Sequence, residues 1–353
     1  MSRITRVCLN LIWLLCLVGQ TPTLRADAPP AAPPDHGRVL VVHDPEATDA
    51  YRPRPERVYE MVRRGIEKLT GKTNAAEAWG TLVSTQDIVG IKVYSAPGAG
   101  SGTRLAVVEG VIRGLLAAKV PARNIIIWDR QKGDLRLAGY CDLAESLGVG
   151  VDGAANAGFD EEAFYNPDAP ILGQLIYGDL EFGRKGPGIG RKSYLSKLVS
   201  RRLTKIINIT PLLNHNTAGV CGNLFSLATG SVDNVRRFEV ATRRLAEAVP
   251  EIYALPQLGD RVVLNITDAL ICQYHGEQHS LLHYSVVLNE LRFSKDPVAL
   301  DLLSLRELDR QRQAAKDAPP SQSLSNHVQL IENAALLDLG TGEAERLRIE
   351  RWP

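Results

Sequence analysis

The spacing of hydrophobic positions alternates along the chain between two patterns, and each change marks a predicted element. Short apolar runs at Arg38–His43, Ile88–Val93, Asn124–Trp128, Ile206–Ile209, Arg261–Thr267, Ser285–Phe293 and Leu347–Trp352 read as largely buried strands. Between them the spacing becomes helical. Pro55 opens a segment in which Val58, Met61, Val62, Ile66 and Leu69 share one face. A helix over Arg104–Lys119 carries Leu105, Val108, Ile112, Leu115 and Leu116, with Thr103 as its predicted N-cap. Further helices are predicted over Leu135–Leu147, Val235–Ala248, Pro297–Ala315 and His327–Leu336.

The unit from Ile88 to Trp128, strand then helix then strand, predicts a βαβ crossover and hence a parallel pair. Residues 148–190 read as loop-rich, with candidate hairpin strands at Gln174–Tyr177 and Leu180–Phe182, and Lys316–Ser325 reads as a polar turn. No internal repeat is visible. The pattern predicts an α/β fold, a mixed, mainly parallel sheet flanked by helices, with a loop-rich insertion.

The amino terminus stands outside this pattern. Arg3 and Arg6 precede an apolar run, Val7–Val18, interrupted only by Asn10, and Leu24-Arg25-Ala26 follows. That reads as a secretory signal peptide over residues 1–26, the run being short of the roughly 20 residues of a membrane span. An uncleaved anchor is the alternative. Residues 27–37, rich in Pro and Ala, predict a linker to a single α/β domain over 38–353. The expected location is periplasmic or extracellular, with no stable membrane span after cleavage.

Removing the three arginines of the leader takes the formal charge from +1 to about −2, which excludes a nucleic-acid binder. Cys141, Cys221 and Cys272 lie beyond the leader, with no C-x-x-C or cluster spacing; the expectation is small buried hydrophobes, with at most one internal disulfide.

Candidate chemistry gathers at predicted strand ends. Lys92 precedes a Gly-rich loop, Ser95–Gly102, and Asp129-Arg130 closes the next strand. The block N-I-T-P-L-L-N-H-N-T delivers Asn214 and His215 into a turn after Pro211, with Asn223 beyond; Asp268 closes another strand. Ends of parallel strands converge, so Lys92, Asp129, His215, Asn223 and Asp268 are predicted to share a cleft, although an Asp after a strand also commonly caps a helix. The Gly-rich loop with Lys92 and Thr103 could hold an anion on backbone N–H groups, but it is neither a dinucleotide fingerprint nor a Walker loop. Gly183–Ser193 places four cations among glycines and reads as a solvated loop. His275, His279 and His283 recur every fourth residue, a zinc spacing if helical, which Gly276 opposes. Asp296 is explained as an N-cap before Pro297; Asp301, in the second turn, is not, and is the better functional candidate. The sequons at Asn208 and Asn265 fall in buried-looking strands and read as chance matches.

Taken together, V-G-I-K-V with the Gly-rich loop and Thr103, N-I-I-I-W-D-R, N-I-T-P-L-L-N-H…G-N-L-F, L-N-I-T-D-A-L and S-K-D-P-V-A-L-D resemble, in this order, the family known as domain of unknown function 362. The resemblance implies an α/β protein, often exported and sometimes fused to iron–sulfur modules, without a settled activity. By position it singles out Lys92, Asp129, His215, Asn223, Asp268, Asp296 and Asp301. Asn214 and Gly222 stand where that family commonly has Lys, and no cluster cysteines are present.

Two functions follow as expectations. One is an exported enzyme acting on a small anionic molecule: His215 as general base or metal ligand, Asp268 or Asp301 as its acidic partner, and Lys92 as the anion or oxyanion contact. Thr103, Asp129, Asn214 and Asn223 would contact ligand. The other is a non-catalytic extracytoplasmic small-ligand-binding protein using the same cleft. The sequence names no cofactor, metal or oligomeric state.

Overall fold

The computed structural model describes residues 36–167, 175–239, 241–277, 279–315 and 327–353. The predicted signal peptide, nearly all of the linker and the Lys316–Ser325 turn lie outside the described residues.

The chain opens with β1 (Arg38–His43), a small ribbon of β2 (Thr48–Asp49) and β3 (Arg52–Pro53), and helix α1 (Pro55–Thr70), which starts at Pro55 and buries Val58, Met61, Val62, Ile66 and Leu69 as the spacing predicts. A short α2 (Ala75–Gly80) precedes the crossover unit: β4 (Val89–Lys92), α3 (Gly98–Ser101), α4 (Leu105–Ala117) and β5 (Ile125–Asp129). The predicted helix over Leu135–Leu147 is two, α5 (Lys132–Leu137) and α6 (Tyr140–Leu147), broken where Gly139 takes φ +89. Then come β6 (Gly150–Gly153), β7 (Phe159–Tyr165) and β8 (Ser193–Ser196). β7 and β8 pair antiparallel, so the insertion is a ribbon built on other residues than those expected. Leu180–Phe182 is a turn, and Gln174 lies outside the described residues.

The second half contains β9 (Lys205–His215), β10 (Gly219–Val220), α7 (Asn223–Ser231), α8 (Arg236–Glu239), α9 (Thr242–Tyr253), β11 (Val262–Gln273), β12 (Ser285–Ser294), α10 (Pro297–Ala314), α11 (Val328–Leu336) and β13 (Arg348–Trp352). Two strands run past their predicted ends. β9 continues through Pro211, which sits level with Asp268 beside a break in register; a proline without an N–H is tolerated at such an irregularity. β11 likewise continues through Asp268 to Gln273. Pro211 and Asp268 therefore stop nothing.

The main sheet has the order β13-β1-β12-β11-β9-β4-β5-β6, with β10 folded back on β9. β11, β9, β4, β5 and β6 are mutually parallel, and β12 is antiparallel to both its neighbours. From β4 the chain steps outward through β5 to β6, then returns to β9 on the other side of β4. The connections thus diverge at the β4–β9 boundary and leave a crevice beyond the carboxyl ends of these strands, the position where open α/β sheets bind ligands.

The two faces of the sheet differ. Alternation sends Val89, Ile91, Ile125, Ile127, Ile207, Ile209, Leu264 and Ile266 into one apolar core with α1, α2, α4 and α6. On the opposite face, under α7, Lys92, Asn208, Asn265 and Ser294 stand level on adjacent strands, all fully buried. Buried Asn208 and Asn265 accord with reading their sequons as chance matches.

Candidate functional site

Lys92 ends β4 with its ammonium fully buried. Its Nζ donates to the Val93 carbonyl (2.7 Å), to Ser226 Oγ (3.0 Å) and to Asp129 Oδ1 (2.8 Å), so its three protons are committed. Burial pulls its pKa down, and the charge of Asp129 opposes this. Asp129 also accepts from Ser95 N–H (2.7 Å), Ser95 Oγ–H (2.6 Å) and Arg130 N–H (2.8 Å). The start of the Gly-rich loop is therefore turned toward the protein's own carboxylate, and the expected anion cradle is already filled. Gly230 permits this packing: a Cβ there would lie 2.4 Å from Lys92 Cε.

The other acids expected to be catalytic are structural ties. Asp268 accepts from the Arg104 N–H at the start of α4 (2.9 Å) and pairs with the Arg104 guanidinium (3.1 Å), which fastens β11 to that helix. Asp301 receives Asn223 N–H (2.6 Å) and Leu224 N–H (2.9 Å), the first donors of α7, and Asn223 Nδ2 (3.1 Å). A carboxylate placed there satisfies orphan donors and meets the positive end of the helix. Burial nonetheless pushes its pKa up to about 6. Gly222 belongs to the same contact, since a Cβ would lie 2.4 Å from the Asp301 carboxyl carbon. Asn223 is consumed too, its Oδ1 accepting from Asn208 (3.3 Å). Thr103 does not cap α4 by its side chain; its hydroxyl donates to the Ile209 carbonyl (2.8 Å) and accepts from Tyr94 N–H (3.0 Å).

His215 is different. Its Nδ1 accepts from Thr217 N–H (3.2 Å) and Ala218 N–H (3.0 Å) within the turn to β10. A ring nitrogen accepting two N–H groups carries no proton, so the neutral ring carries its proton on Nε2. Burial lowers its pKa, nearby Glu277 opposes that, and His327 adds to it. The ring packs on Phe225, centroids 4.3 Å apart. In this tautomer Nε2 donates and offers no lone pair, which fits neither a general base nor a metal ligand.

Glu277 is one of the lining residues that sequence reasoning missed. Asn216 N–H donates to its Oε1 (2.5 Å), and its own N–H donates to Asn214 Oδ1 (3.0 Å). Asn214 thus positions Glu277 beside His215. Glu277 takes φ +50, and Gln273 Nε2 donates to its carbonyl (3.1 Å). These bonds hold a non-glycine residue in the left-handed region and so fix the turn that carries its carboxylate. The signal lay in the turn Gly276-Glu277, among histidines read only for metal spacing. Those histidines share no helix, His283 alone lying in a short 3-10 turn; His275 and His283 lie against Tyr284, at 4.9 and 4.0 Å between centroids. Among the described residues no three of His, Cys, Asp and Glu are placed to hold a metal ion. Cys141, Cys221 and Cys272 are free, and burial pushes the thiols of Cys221 and Cys272 up.

These pieces surround a cavity of about 360 Å³ at the strand ends. It brings together Asp129 and His215 of the predicted set, with Asn214 just behind and Lys92 beneath; Asp268, Asp301, Thr103 and Asn223 do not line it. Its wall adds Arg130, Asp134, Phe225, Glu239 and Glu277. Asp134 and Glu239 have raised pKa values, burial being the first cause in each. Four carboxylates and one guanidinium thus line the cavity, Asp129 among them already paired with Lys92. No sequence signal marked Glu239, and Asp134 reads as an ordinary acid in a helix's first turn. A larger cleft of about 750 Å³, lined by residues such as His36, Glu332, Asp338 and Arg346, lies away from the strand ends.

No family model matches the sequence, and no curated protein matches it. A crystal structure of a Thermotoga maritima protein, a structural-genomics target, aligns with a TM-score of 0.40 at 11% identity, over 75% of this chain and 60% of that one. The family resemblance therefore rests on the motifs quoted above.

Proposed function

We propose that this chain is an exported protein that binds a small molecule carrying a positively charged nitrogen, in the crevice between β4, β5 and β9. The observation that carries this reading is the lining: Asp129, Asp134, Glu239 and Glu277 face one cavity with Arg130 as the only cation among its described lining residues. With Asp129 satisfied by Lys92, the acceptors left for a ligand are those of Asp134, Glu239 and Glu277, and a carboxylate binds an ammonium through a charge-assisted hydrogen bond. His215 Nε2–H supplies a donor for a hydroxyl or carbonyl on the same molecule. The volume suits a small ligand. An anionic substrate would meet this lining with like charge, so that expectation is not the reading favoured here. Export is supported by the basic and apolar pattern of residues 1–26. No helix among the described residues is long and apolar enough to cross a membrane.

Calorimetric titration with n-butylammonium and with butyrate tests the charge preference. Butylammonium is expected to bind the wild type and to lose affinity in Asp134→Asn; butyrate binding more tightly would sink the reading. Catalysis is the second reading, favoured by two carboxyls with raised pKa values on one cavity, Asp134 and Glu239. Chemical change of the bound amine, followed by mass spectrometry and lost in Glu239→Gln, would establish it.

A further inference from the structure

Beside the acidic crevice lies a second cavity of about 210 Å³, lined by Arg130, Gln131, Ala155, Asn156, Phe159, Ile176, Tyr177, Gly178 and Asp179. Arg130 and Gln131 line both spaces, so the two adjoin across the start of α5. The second space differs in kind. Tyr177 is 90% exposed and stands edge-on to Phe182, itself 50% exposed, with centroids 5.9 Å apart.

An exposed aromatic pair on a loose loop would mean little, but this loop is pinned. Asp179 accepts from Ile176 N–H (2.8 Å) and Asn234 N–H (3.0 Å). Asp233 accepts from Leu180 N–H (2.8 Å) and Tyr194 N–H (2.6 Å). Glu181 accepts from Gly190 N–H (2.7 Å) and from the Tyr194 hydroxyl (2.8 Å). All three acids are buried. They hold the backbone on either side of Tyr177 while its ring stays in solvent. An aromatic ring presented on a fixed backbone at a cavity mouth costs little entropy when a flat partner stacks on it.

We propose that this cavity is a second subsite, which takes a flat aromatic ring of the ligand against Tyr177 while the ligand's ammonium lies in the acidic crevice. The ligand class is then an aryl-alkylammonium. This rests on the cation-binding reading above.

Titration calorimetry with tryptamine and n-butylammonium separates the two claims. Tryptamine is expected to bind the wild type about tenfold more tightly than butylammonium, the order that one ring stack contributes. Tyr177→Ala should remove that difference and leave butylammonium unchanged; Tyr177→Phe should keep it. An advantage that is absent, or that survives in Tyr177→Ala, overturns the ring subsite. Should butylammonium then still bind and be lost in Asp134→Asn, only the ring subsite has failed. If neither amine binds the wild type, the cation reading falls and the subsite with it.

Discussion

The two faces of the central sheet are made by the same strands and solve different problems. On the face toward α1, α2, α4 and α6, alternate residues of β4, β5, β9 and β11 are Val, Ile and Leu, held by burial alone. On the face toward α7, the positions between them include Lys92, Asn208, Asn265 and Thr267, each buried and each tied to a named partner. A buried polar group costs free energy unless bonded, so this face needs a specific arrangement where the other needs only volume. That arrangement fixes the carboxyl ends of β4, β5 and β9 around the acidic crevice. The lesson is that residues that look catalytic by type, Lys92, Asp268 and Asp301, are here the scaffold that places those that face the cavity.

The largest test of this contrast is Lys92→Met. It leaves the Asp129 carboxylate buried without its cation, an expected loss of about 3–5 kcal/mol in urea unfolding. Lys92→Met with Asp129→Asn should lose clearly less than the two single losses together, because the stranded charge is gone. A loss below about 1 kcal/mol for Lys92→Met would show that the pair braces nothing.

Asp301→Asn comes next, at about 2 kcal/mol near neutral pH, since Asn223 and Leu224 N–H donate to different oxygens of the carboxylate and the amide puts an NH2 in place of one of them. The variant also carries a pH signature. Burial pushes the Asp301 carboxyl from its ordinary 3.8 up to about 6 in the fold. Between those values the folded chain holds a proton that the unfolded chain has released, so this group's contribution to stability falls as pH rises from about 4 to 6. Asp233, also pushed up to about 6 by burial, acts in the same direction and is untouched by the change. Wild-type stability minus variant stability, measured at each pH, should therefore shrink across that window. A flat difference would contradict the placement of Asp301 in a desolvated cap.

The smallest effect belongs to the apolar face. Ile207→Val removes one methylene from a fully buried side chain and should cost about 1 kcal/mol, without pH dependence and without change at the crevice. Amine binding altered by this variant would mean that the two faces are coupled.

The α/β class, the parallel crossover and most element boundaries were legible because burial imposes its period on Val, Ile and Leu whatever the function. The site was legible only in outline. Strand-end convergence brings Asp129 and His215 to one cavity, since it follows from chain direction alone. The roles of Asp268, Asp301 and Thr103 were not legible, because a carboxylate or hydroxyl that caps a helix from a distant strand has the same sequence signature as one that meets a substrate. Glu277 and Glu239 reach the cavity through a turn and a short helix whose placement is set by tertiary bonds, such as those of Asn214 and Asn216, that no local pattern records.

The most direct measurement is a crystal structure of the protein soaked with n-butylammonium. The account predicts the ammonium within hydrogen-bond distance of Asp134, Glu239 or Glu277, with Lys92 still bonded to Asp129. The amine bound instead in the larger cleft near Glu332 and Asp338, with the strand-end crevice empty, would contradict it.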